Sequence, residues 1–229
     1  LETFLPRAFR RPARPEELEH YYTLYANAFK RSQSHESSLL HALQGVLIAP
    51  DFLFRVEDPN KGTGPRKLDD YALATRLSYF LWGTMPDNPL FKAAAAGKLQ
   101  DDAGLTEQTL RMIKDARTRD FAEQFVEQWL NTRELGRDIK PDAKLFPAYY
   151  DAEIQSGIRY EPILFFQELI TQNLSLLNLI DSKFTVMSNK LAKHYGIKPV
   201  KPLRQQPVVA ERPPGTHRGG VLGMAGVRL

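Results

Sequence analysis

The stretch 150–172, YDAEIQSGIRYEPILFFQELITQ, decides how this chain is read. Ile154, Ile158, Phe165, Phe166, Leu169 and Ile170 return at the three- and four-residue spacing of one helix face, which predicts a long helix from about Tyr150 to Gln172. Pro162 falls inside that pattern; it removes one backbone donor, leaves the Ile158 carbonyl without its usual partner and predicts a kink. Glu161 stands three residues after Ile158 and four before Phe165, so it projects from the apolar stripe. A carboxylate aimed into a core either finds partners there or destabilises the fold.

Working outward, the same periodicity dominates. Pro15, Glu16 and Glu17 open a helix carrying Leu18, Tyr22, Tyr25 and Phe29. A second runs from Glu36 to Ala49 with Leu39, Leu40, Leu43, Val46 and Leu47 inward, and Pro50 ends it, with Phe52–Glu57 extended beyond. Asp69 or Asp70 caps a third, whose inward stripe reads Leu73, Leu77, Phe80 and Leu81 and whose stop is Gly83. Further helices are predicted over an alanine-rich run stopped by Gly97, over Thr106–Lys114, over Arg117–Asn131 with Phe121, Phe125, Val126 and Trp129 on one side, and over Asn189–Tyr195 before Gly196. No strand-rich segment stands out. The expected fold is all-α: an irregular bundle of about seven to nine helices with a Pro-rich basic C-terminal tail. Residues 1–57 read as a small helical module, 58–196 as the main domain and 197–229 as a linker with the truncated start of a following module.

The 229 residues are 42% hydrophobic and 25% charged, enough apolar material for a packed core. There is no cysteine, which excludes disulfides, thiolate metal sites, a cysteine nucleophile and a covalently attached c-type haem. No apolar run approaches the roughly 18 residues that a membrane span needs. From Lys193 onward the chain holds Lys193, Lys198, Lys201, Arg204, Arg212, Arg218 and Arg228 against the single acid Glu211, so the tail carries +6 and the rest −2. Without dense Lys/Arg clusters or interleaved aromatics, the tail reads as a solvated linker ahead of a nucleic-acid surface. The chain begins at Leu1 with no basic-then-apolar leader and reads as a mature piece or a fragment.

Several separated motifs carry a resemblance. Phe4-Leu5-Pro6-Arg7-Ala8-Phe9-Arg10-Arg11-Pro12 with Glu16-Glu17, Pro50-Asp51-Phe52-Leu53-Phe54-Arg55-Val56-Glu57, Leu73 through Trp82, Met85-Pro86-Asp87, Phe121 through Leu130 and Asn189 through Gly196 span nearly the whole chain. They resemble tandem modules of a planctomycete and verrucomicrobial, cytochrome c-associated family of domains of unknown function, and Arg218-Gly219-Gly220 resembles the start of a third module. The resemblance implies an exported, multidomain, redox-associated setting and no known reaction. It implies other domains of the same polypeptide as partners, a cytochrome c domain among them. This chain lacks the Cys-x-x-Cys-His haem motif, so a c-type haem would belong to a separate domain of the parent protein and no cofactor is expected here.

Four residues are candidates for chemistry: Glu161, Arg76, Glu57 and His194. Arg76 follows Leu73 by three and precedes Phe80 by four, so it is expected on an inward face, paired with Glu161 or with Glu57. Such a pair either fixes helix register or furnishes an acid/base carboxylate in a cleft. His194 sits in the last turn before Gly196, where the helix dipole favours a cation. Were a haem from elsewhere to dock, His194 and Met187 are the only ligands to consider. His35 and His41 are six apart and do not chelate, and Glu16 with His20 falls short of a metal site. Asp115, Arg117 and Arg111 read as a surface charge cluster, and Trp82 and Trp129 as core aromatics. No nucleophile elbow, phosphate loop or dinucleotide fingerprint occurs. The first reading is a helical interaction or scaffold module, the second an enzyme domain with a carboxylate/arginine cleft for an extracellular substrate, the third a basic-tailed nucleic-acid binder.

Overall fold

In the computed structural model, residues 1–55, 67–136, 140–197, 208–211 and 219–228 are described. They are predominantly helical. Two compact units, Leu1–Arg111 and Met112–Leu229, each have their own core. Among the described residues there are eleven α-helices, seven of them with seven or more residues.

The first unit contains α1 (Phe4–Phe9), α2 (Pro15–Ser32), α3 (His35–Leu47), α4 (Pro50–Leu53), α5 (Asp70–Trp82) and α6 (Asn88–Ala95). The boundary between the units falls near the end of α7 (Asp102–Ile113). The caps are those the sequence offers. Pro15 opens α2, the Asp69 side chain accepts from the Ala72 amide at the start of α5, and Gly83 ends α5 with φ +64°. Pro50 stops nothing directly; it is the first residue of α4, so Phe52 is helical and not extended. Leu5, Ala8, Phe9, Tyr21 and Val46 form one buried cluster.

Two helix faces in this unit differ from expectation. In α3 the buried positions are Ser38, Ala42 and Val46, while Leu40 and Leu47 are exposed. In α5 they are Ala74, Thr75, Ser78, Leu81 and Trp82, while Phe80 is 64% exposed. α2 and α3 approach closely enough that a Cβ on Gly45 would lie 3.0 Å from Leu24 Cδ1. Helices this close bury their small residues and turn some leucines outward.

The second unit is organised around α9 (Ala152–Thr171), with α8 (Thr118–Trp129), α10 (Asn189–His194), α11 (Ala225–Arg228) and strand β1 (Phe184–Met187) packed on it. β1 pairs antiparallel with β2 (Val208–Glu211), Phe184 opposite Glu211 and Met187 opposite Val208. The Asp151 side chain caps α9 by accepting from the Glu153 and Ile154 amides. Ile154, Ile158, Glu161, Phe165, Phe166 and Leu169 are all buried, as the stripe requires. Phe165 and Ile163 are wholly buried, and such side chains contribute about 1.5–3 kcal/mol each relative to exposure. The Pro162 effect on Ile158 has a structural use. α11 comes so near the released carbonyl that a Cβ on Gly226 would sit 2.8 Å from it. On α8, Phe125 stacks on Phe166 of α9 and Trp129 meets the Phe125 ring at a tilt, yet the two remain 42% and 47% exposed, so Trp129 is not a core aromatic, whereas Trp82 is 3% exposed.

Candidate functional site

Glu161 is 2% exposed, on the inward face of α9. Its Oε1 accepts a hydrogen bond from the Thr185 hydroxyl of β1 at 2.9 Å, and its Oε2 accepts one from the Tyr195 hydroxyl at the end of α10, also at 2.9 Å. Tyr195 in turn accepts from the Ala225 amide of α11 at 3.4 Å. One carboxylate therefore ties α9 to a strand, a helix end and a C-terminal turn. Hydroxyl donors satisfy both oxygens, which is the condition for keeping a carboxylate inside a protein.

Tyr195 also lines a cleft of about 460 Å³ with Phe146, Pro147, Tyr149, Ile158, His194 and Ala225. Its walls are largely apolar. Burial pushes the Tyr149 phenol above its ordinary pKa. His194 is exposed at this rim, its ring 5.8 Å from that of Tyr195. Glu161 is linked to this lining by the hydrogen bond from Tyr195.

The four sequence candidates fare differently. Glu161 is inward as its spacing demands, and the hydroxyls of Thr185 and Tyr195 are partners that the helix pattern did not reveal. Arg76 is exposed, which corrects its expected inward placement. The buried face of α5 runs through Ala74, Ser78 and Leu81, and Arg76 lies on the opposite side of the helix. Glu57 lies outside the described residues. Much of the basic tail does too: Lys198, Lys201, Arg204, Arg212 and Arg218.

Buried or partly buried opposite charges do pair, at residues outside these four candidates. Glu127 of α8 is 5% exposed and accepts from Arg159 Nε of α9 at 2.9 Å, with Arg133 Nε at 3.4 Å. Glu127 holds the Arg159 guanidinium above its ordinary pKa. In the first unit Arg11 bridges Glu17 and Asp51, each at 2.7 Å. Arg11 beside it, with Arg14, holds the Glu17 carboxyl down at about 2, against the opposing cost of burial. Of the expected surface cluster, Asp115 pairs with Arg117, but Arg111 turns to Asp87 in a two-pronged contact at 2.8 and 2.9 Å.

Among the described residues no group of three or more His, Cys, Asp or Glu side chains could hold a metal ion, and no helix is long and apolar enough to cross a membrane. The two residues considered for an incoming haem do not make a ligand pair. Met187 is 1% exposed in the core while His194 faces out.

Comparison with known families bears on the arrangement. The PSD4 family model, described as a protein of unknown function (DUF1592), matches residues 68–197. The chain belongs to the PSD4 family. A second model, PSD5, also described as a protein of unknown function (DUF1595), matches residues 1–57. The PSD4 match contains Glu161, Thr185, His194 and Tyr195, while Arg10, Arg11, Glu17 and Asp51 fall in the PSD5 match. Neither the curated proteins nor the solved structures include a match to the chain.

Proposed function

We propose that the chain is a helical interaction and scaffold module of a larger exported, cytochrome c-linked polypeptide, and that its buried charges serve architecture. One observation carries this reading: Glu161, the leading acid/base candidate, is 2% exposed with both oxygens engaged by hydroxyls from other elements. A general acid or base must come within hydrogen-bonding reach of a substrate. This carboxylate instead cross-links the elements around α9. The exported, cytochrome-linked setting is supported by the motif resemblance alone. Its partners are then other domains of the same polypeptide, and a c-type haem would sit in one of those.

The surface supports the interaction half. Leu176, Leu177 and Ile180 of the second unit are 65–71% exposed along one short segment, more apolar side chain than solvent favours in so few residues. Amide hydrogen exchange on this chain alone and within its parent polypeptide tests the reading. Slower exchange around 174–181 in the parent is expected; identical exchange in both would refute it.

A second reading, an enzyme domain acting on an extracellular substrate, is favoured by the cleft lined by Tyr195 and His194, whose Tyr195 hydroxyl donates to Glu161. In that case Tyr195→Phe abolishes turnover while leaving the unfolding midpoint of the second unit near that of the parent sequence. The scaffold reading expects the midpoint to fall.

A further inference from the structure

We propose that the first unit holds a binding pocket for a phosphate-type dianion, with Arg10 and Arg55 as its principal ligands. The cavity measures about 180 Å³ and is bounded by the end of α1, by Asp51 and Arg55 around α4, and by Asp69, Thr75 and Arg76 of α5 and its cap. That is room for a tetrahedral oxyanion and a small part of what bears it, since a water occupies about 30 Å³.

The charged groups in this lining have different commitments. Arg11 is neutralised by Glu17 and Asp51. Asp69 is occupied in capping α5. Arg10 and Arg55 have no carboxylate partner among the described residues. Arg10 is nevertheless 7% exposed. Its guanidinium donates to the backbone carbonyls of Phe52 at 3.2 Å and Phe54 at 2.9 Å, and to that of Asp51. Three of its five donors are thus used, leaving Nε–H and one Nη1 hydrogen for a ligand. Arg55 lies over the ring of Tyr79, 5.3 Å from its centroid, and Arg10 lies 5.9 Å from the same ring.

A guanidinium does not give up its proton on burial, and a buried charge with dipoles but no counter-ion is costly. Carbonyls satisfy hydrogen bonds and supply no net negative charge. Arg10 is such a cation, and the exposed Arg55 adds a second positive charge at the mouth of the same cavity; together they favour a doubly charged anion, and the planar fork of arginine matches phosphate oxygens. The carbonyls also fix Arg10 before any ligand arrives, so little side-chain entropy remains to be lost on binding. Arg10 further holds the left-handed cap of α1, φ +58°, a position that glycine occupies without steric cost. Its side chain therefore does something there that glycine could not.

Titration of the full chain with inorganic phosphate at fixed ionic strength, followed by phosphorus NMR, tests the pocket. Saturable binding is expected, with chloride inert. Arg55→Gln, at an exposed residue with no hydrogen-bond partner among the described residues, should weaken it about tenfold with no change in the unfolding midpoint. Asp69→Asn, which keeps the cap, should tighten it by removing the negative charge at the rim. Sedimentation with phosphatidate-containing against phosphatidylcholine vesicles separates the sources. Arg55-dependent vesicle binding without free-phosphate binding supports the pocket and names a lipid headgroup; free-phosphate binding supports it and names a soluble anion. Absence of both, or binding that Arg55→Gln and Asp69→Asn leave unaltered, would overturn the proposal.

Discussion

Thr185→Val and Tyr195→Phe each remove a hydroxyl that donates to Glu161 while keeping shape. Thr185 is 1% exposed in β1, where valine fits a strand at least as well as threonine, so the loss is the hydroxyl itself. A hydrogen bond to a charged acceptor contributes about 1.5–3 kcal/mol. Each single substitution should therefore destabilise the second unit by about 2 kcal/mol. Tyr195→Phe should be the costlier, since it also releases the Ala225 amide. Both hydroxyls serve one carboxylate, so the double variant should depart from additivity by about 0.5 kcal/mol or more. Urea unfolding read by Trp129 fluorescence in a Trp82→Phe background isolates the second unit. Two single variants within about 0.5 kcal/mol of the parent would refute the claim that Glu161 cross-links α9.

Two more outcomes follow from particular contacts. Glu17 has a folded pKa of about 2, against about 4.3 for a free glutamate. Its stabilising effect is complete above the free value and is lost as pH falls through about 2. Urea midpoints of the first unit, read by Trp82, should fall between pH 5 and about 2, and Glu17→Gln should flatten that slope; an unaltered slope would count against the Arg11–Glu17–Asp51 cluster. Gly226→Ala places a methyl 2.8 Å from the Ile158 carbonyl and 3.2 Å from Leu135 Cδ1. It should cost about 1–3 kcal/mol in thermal unfolding, and an unchanged transition would mean that α11 does not dock at the carbonyl released by Pro162.

What the sequence disclosed was set by side-chain size and by length. The α9 stripe was legible because Ile158, Glu161 and Phe165 share one face at helical spacing. In α5, Leu73-Ala74-Thr75-Arg76-Leu77-Ser78-Tyr79-Phe80-Leu81-Trp82 offers apolar residues all round. The leucines favoured one face and close packing chose the adjacent one, built on Ala74 and Ser78, which put Arg76 outside. β1 and β2 are four residues each and begin 24 positions apart, too short to display alternation and too distant to suggest a hairpin. Thr185 and Tyr195 were hidden for the same reason: they belong to a strand and a helix end whose approach to α9 is tertiary. Glu127 gave a weak signal, one residue beyond the buried Val126. Arg10 gave none, because its role depends on carbonyls more than forty residues away.

The central claim is that the leading carboxylate of this chain is an internal cross-link and not a solvent-reaching acid or base. Carbodiimide-driven amine labelling of carboxyl groups in the native chain, read by mass spectrometry, measures it directly. Glu16 and Glu153, with side chains 72% and 71% exposed, should label readily. Glu161 should stay unlabelled until the second unit unfolds, whereas native-state labelling of Glu161 at the rate of Glu153 would contradict the account.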